Sequence, residues 1–164
     1  LQVVIGLMNI ETQDREFSHE VKERISNKLI SMMSVFNIVY DLRDMRNISL
    51  RTVLDEYQRI SFRNIDVAEM RSDASYSIEV IVNCLMLIDS VIEVFLGGND
   101  SIPARIISEE AGRLEVRFQC QGSELNQPDG KDMAFLGLQV KSLDGSIEID
   151  REHAAVRILF TRHE

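Results

Sequence analysis

A few short stretches of this chain hold residue types that can do chemistry. The run MAFLGLQVKSLDGSIEI, from Met133 to Ile149, reads as the end of a loop, a short amphipathic helix, a glycine turn and a strand. Several nucleotide-binding folds build a phosphate site in that order, with a bare glycine that lets backbone amides approach the anion. Phe135 stands where such a loop wants that glycine. Just upstream, Asp129 to Asp132 reads DGKD, which has a Gly-Lys pair but not the spacing of a phosphate loop, and fits a solvated turn. His153 and His163 fall in the closing segment with no serine or cysteine nucleophile beside them. Cys84 and Cys120 form no C-x-x-C unit, and with His19 they give no zinc spacing. They read as packing residues kept reduced, which points to the cytoplasm.

The elements that must position these residues follow from hydrophobic periodicity. Val4, Leu7, Met8 and Ile10 have helical spacing, and after the polar ETQDRE a second helix begins. Its apolar positions Val21, Ile25, Leu29, Met32, Phe36 and Val39 approach a heptad seam. One hairpin cannot bury seams on both its helices, so a second copy is expected to complete a four-helix bundle. The segment MRNISLRTVLDEYQRI predicts a helix with Ser49 as its cap and Val53, Leu54, Tyr57 and Ile60 on one face. FRNIDVAEM can form a short strand.

Ile78 to Leu96 predicts a buried helix, stopped by Gly97 and Gly98. Glu79, Asn83, Asp89 and Glu93 lie within it at depths too costly for lipid, so it is not read as a membrane span. Two strands joined at EEAG come next, with alternation clearest in Leu114, Val116 and Phe118, and a hairpin closes the chain. The fold class expected is α+β: an antiparallel helical hairpin over residues 1–46, then a small α/β sandwich over residues 47–164.

The chain has 164 residues, 45% apolar and 27% charged, as in an ordinary globular protein. Its formal charge of −9 would repel a phosphate backbone, so nucleic acid is not expected as a partner. It begins at Leu1 within a helical pattern and reads as a piece of a longer protein.

In this order, the segments resemble a sensor histidine kinase of the class whose acceptor box reads H-x-V-K-N-N-L-Q. LQVVIGLMNIETQ is similar to the continuation of that box. ISNKLISMMSVFNIVYDLRDMRNISLRTVLDEY resembles the second helix of the dimerization hairpin and the linker that follows. LGLQVKSLDGSIEI with VRILF resembles the last helix and hairpin of the family's ATPase domain, which has the GHKL fold. His19, in EFSHEVKER, echoes the acceptor box but falls after it in a collinear alignment and reads as a surface histidine beside Glu16 and Glu20.

The resemblance implies where a nucleotide site would lie, and the boxes there are degenerate. Leu85 falls at the position of the family's catalytic Glu, and Asp89 at that of the Asn that helps hold Mg²⁺. Cys120 takes the place of the adenine-reading Asp, while Gly122 keeps the glycine two residues on. Phe135 takes the first glycine of G-x-G and Gly137 retains the second. A leucine cannot act as a base, a thiol is a poor acceptor, and a benzyl group blocks close backbone approach.

Two function classes follow. The first is a non-catalytic two-component signalling module without catalytic residues, cofactor or metal. It would be a homodimer through Ile25, Leu29, Met32, Phe36 and Val39, docking a response-regulator receiver domain or a sister histidine kinase. The second is a divergent but active ATP-dependent sensor kinase, for which ATP and Mg²⁺ would be the cofactors. Micromolar binding of ATP with Mg²⁺ separates them.

Overall fold

The computed structural model describes residues 36–38, 40, 48–60, 64–70, 74–97, 99, 101–108, 110–121 and 124–161. Ile25, Leu29, Met32 and Val39 of the expected seam lie outside the described residues, as do His19, Gly98, Gly122 and His163. Phe36 is within them, on a helical stretch. It is about half exposed, while Ile38 two residues on is buried in the core cluster.

Helix α1 (Leu50–Ile60) begins as the sequence predicts: Ser49 Oγ accepts the Thr52 amide hydrogen at 3.3 Å, and Val53, Leu54 and Tyr57 face inward. Helix α2 (Ile78–Leu96) is the central buried helix. Ser77 caps its start, and Gly97 ends it in the left-handed region at φ 57°, donating to Glu93 O at 2.8 Å. Helix α3 (Gly130–Lys141) packs on α2, and α1 packs on α2 as well.

The helices cover one face of a mixed sheet. Its strands are β2 (Ile65–Asp66), β4 (Ala104–Ile107), β5 (Arg113–Phe118), β6 (Ser146–Asp150) and β7 (Ala155–Leu159), in the order β2-β4-β5-β7-β6. The β2–β4 pair is parallel and the others are antiparallel. A separate two-stranded ribbon joins β1 (Ile48–Ser49) to β3 (Ser75–Tyr76).

Strand alternation sets the two faces. Ala104, Ile106, Leu114, Val116, Phe118, Val156 and Ile158 point into the core under the helices. Arg105, Glu115, Arg117, Glu148 and Arg157 occupy the alternate positions, where Arg157 bonds Glu115 at 3.1 Å and Arg105 bonds Glu69 at 2.7 Å. Among the described residues no helix is long and apolar enough to cross a membrane.

Candidate functional site

The residues singled out in the sequence divide between α2, α3 and the loop after β5. Leu85 and Asp89 are one turn apart on α2, and both are buried, at 1% and 4% exposure. Leu85 belongs to the apolar core cluster. Asp89 is not a bare carboxylate: Tyr57 of α1 donates its hydroxyl hydrogen to Asp89 Oδ1 at 3.0 Å. Tyr57 is itself buried, and a phenol in that position needs an acceptor.

Phe135 and Gly137 do not stand in a loop. Helix α3 begins at Gly130, so both lie inside it. The cause is a capping box. Asp129 Oδ1 accepts the Asp132 amide hydrogen at 2.8 Å, and Asp132 Oδ2 accepts that of Asp129 at 3.4 Å. At the helix N-terminus, where backbone amides would otherwise greet a phosphate, two of those amides are thus taken by two carboxylates of the chain itself. One and a half turns further, Phe135 is buried, and the next residue, Leu136, is fully buried in the apolar core cluster. Gly137 has open space where a side chain would start, so no close contact at that position requires glycine.

One turn beyond Phe135, on the same face, Gln139 is buried at 1% exposure. Its Nε2 donates to Ser90 Oγ at 2.9 Å and to Met86 O at 3.3 Å, while Ser90 Oγ donates to Met86 O at 2.7 Å. Gln139 Oε1 has no hydrogen-bond partner. Reasoning from the sequence missed Tyr57 as Asp89's partner, and it missed Gln139 and Ser90 altogether. The available signal was a phenol and an amide at inward positions of otherwise apolar helix faces.

Cys120 sits apart from this cluster, just after β5, partly buried against the edge of the core. Burial first, and the Glu124 carboxylate second, raise its thiol pKa above the usual range. The loop that follows is tied to the end of α2, where Asn126 N donates to Phe95 O at 2.9 Å. Phe95 is about 15 Å along the helix from Leu85. Cys84 is buried in α2, and burial pushes its thiol far up.

A second set of titratable groups lies at the β6–β7 turn. Asp150 Oδ1 accepts the His153 amide hydrogen at 3.1 Å, and the His153 ring Nδ1 lies 3.0 Å from Asp150 Oδ2. Arg157 donates to Asp150 Oδ2 at 2.9 Å. The His153 backbone hydrogen bond, opposed by some desolvation and reinforced by the His153 ring and Arg157, holds the Asp150 carboxyl below the usual carboxylate range. No cluster of three or more His, Cys, Asp or Glu side chains that could hold a metal ion occurs among the described residues.

No family model matches the sequence, and no curated protein is significantly similar to it. Solved structures are. The blue-light activated histidine kinase EL346 of Erythrobacter litoralis superposes with a TM-score of 0.62 at 15% identity, over 97% of this chain and 56% of that one. The chain thus spans little more than half the length of that relative. The histidine kinase domain of the same protein gives a TM-score of 0.55 at 11% identity, over 97% of this chain and 92% of that one. At such low identities the likeness speaks to architecture: the chain has a histidine-kinase-like α+β fold.

Proposed function

We propose that this chain is a two-component signalling module that has the histidine-kinase fold but does not bind ATP in the usual manner. It acts as a dimeric phosphotransfer or partner-docking protein. The division of labour is that expected from the sequence: residues 1–46 form the dimerization and phosphotransfer-like hairpin, and residues 47–164 form a degenerate GHKL domain. Phe36, the one residue of the expected dimer seam that is described, is half-exposed, as a position awaiting a second copy would be.

The observation that carries the reading is the burial of Leu85 and Phe135. In the resemblance these positions serve as a base and as a bare-backbone phosphate contact. In this chain both side chains are packing material. The remaining residues fit Mg²⁺-ATP no better. Asp89 is engaged by Tyr57, and Asp129 and Asp132 place negative charge at the start of α3. Cys120 offers a thiol, held protonated, where a carboxylate acceptor would be needed.

The partner proposed is a receiver domain or a sister kinase, with the receiver supplying its own Mg²⁺ and acidic cluster. The setting proposed is the cytoplasm, where free thiols such as Cys84 and Cys120 stay reduced.

The test is thermal unfolding with and without millimolar ATP and Mg²⁺. A ligand bound only to the native state must stabilise it, by about 2.7 kcal/mol at a hundredfold excess over Kd. The expected result is an unchanged Tm. A rise of several degrees, with micromolar affinity by calorimetry, would overturn the reading in favour of a divergent active kinase. Sedimentation at micromolar concentration tests the dimer separately, and a monomer there removes that part of the proposal.

A further inference from the structure

Asp89 and Ser90 are consecutive residues of α2, and each takes a hydrogen bond from a different neighbouring helix. On one side Tyr57 of α1 donates to Asp89 Oδ1 at 3.0 Å. On the other Gln139 of α3 donates to Ser90 Oγ at 2.9 Å. All four residues are buried, so neither bond competes with bulk water. We propose that this polar level is a bolt through the helical layer that couples the position of α1 to that of α3, with α2 as the rigid bar between them.

The two halves of the bolt differ in how fully their polar atoms are satisfied. The Tyr57–Asp89 side joins one buried hydroxyl donor to one buried carboxyl acceptor. The Gln139–Ser90 side is neutral and incompletely satisfied. Gln139 Nε2 is shared between Ser90 Oγ and Met86 O, the second contact at 3.3 Å, and Oε1 is left without a donor. Turning the amide over would give Oε1 the Ser90 hydroxyl hydrogen but orphan Nε2 instead, so this half is unsettled in either orientation. A nineteen-residue helix turns as a unit, so any rotation that follows release of Asp89 moves Ser90 with it. The incompletely satisfied contact is the one that yields. Loosening α1 should therefore be read out at α3, the helix that carries Phe135.

The experiment is native-state hydrogen exchange on the full chain, comparing Tyr57→Phe with Tyr76→Phe. Tyr76 is an equally buried phenol, but its hydroxyl accepts the Gly112 amide hydrogen at 2.9 Å at the β4–β5 turn, away from the bolt. It controls for general destabilisation. Tyr57→Phe should speed exchange of the amides of residues 134–141 by about tenfold more than Tyr76→Phe does, after each is scaled to its own global stability. Equal acceleration in the two variants overturns the proposal. Coupling must also run backwards. Gln139→Met should raise exchange in residues 54–60 of α1, and if Tyr57→Phe does not fold, this reverse experiment decides. Unchanged exchange in α1 would mean two independent hydrogen bonds and no bolt.

Discussion

The two faces of the central sheet handle polar groups in opposite ways. Beneath the helices, Leu85 and Leu136 fill the interior, and the polar side chains Tyr57, Asp89, Ser90 and Gln139 bond to one another or to backbone. On the outer face, Arg105, Glu115, Arg157 and Asp150 form ion pairs in contact with solvent. Coulomb attraction between such pairs is weakened by water and salt, so each contributes little. The same residue type is thus expensive to alter on one face and cheap on the other. If the site suggested by the resemblance has become core, its residues must behave like core. If it is still an open cleft, they must behave like the outer face.

The largest effect expected comes from putting charge back where the resemblance wants it. Leu85→Glu buries an unpaired carboxylate at a position 1% exposed, and should cost about 3–5 kcal/mol in urea unfolding. Phe135→Ala should cost a similar amount, about 3–5 kcal/mol, through lost burial and the cavity left behind. Phe135→Gly would add roughly 1 kcal/mol more, because position 135 is inside a helix. Recovering a nucleotide site through Cys120→Asp with Phe135→Gly is correspondingly hard, since the glycine would free helical backbone and no loop. A change below about 1 kcal/mol for Leu85→Glu would mean that water reaches the position, and the comparison between the faces would fail.

How much of this was legible in the sequence depends on the range of the interactions involved. The Ser49 cap, the Gly97 stop and the inward run of Leu114, Val116 and Phe118 are local patterns, and the structure has them where the sequence places them. Strands β1 and β3 have two residues each, too short for any period to show. The start of α3 was written in the sequence and misread. DGKD is a capping box, with acids at the cap and three residues on, rather than a solvated turn. With the helix starting at Gly130, Phe135 is a helix residue. The Tyr57–Asp89 bond spans 32 residues and depends on how two helices are rotated against each other, which no single-sequence pattern fixes. Gln139 and Ser90 share that limit, being 49 residues apart.

Gln139→Met sharpens the comparison from the other direction. The substitution keeps the volume roughly constant and removes an acceptor that has no donor. Ser90 keeps its bond to Met86 O. The two effects oppose each other, and stability should change by less than about 1 kcal/mol. A loss of several kcal/mol would show that the amide contributes far more than its recorded bonds explain.

The smallest effect expected is on the outer face, and it depends on pH. The Asp150 carboxyl is held below its ordinary range, first by the His153 backbone N–H and further by the His153 ring and Arg157. A group whose pKa is lower folded than unfolded stabilises the fold only while ionised. Its contribution is fully present above the ordinary carboxylate value, and it drains away as the pH falls through the lower, folded value. Asp150→Asn removes that titration. The variant should therefore be slightly less stable than the parent near neutrality, and the gap should close in acid, below the range where an unperturbed aspartate protonates. Urea midpoints measured across that window check the sign. A gap that persists unchanged into strong acid would mean that the ionised carboxylate is not what ties down the β6–β7 turn.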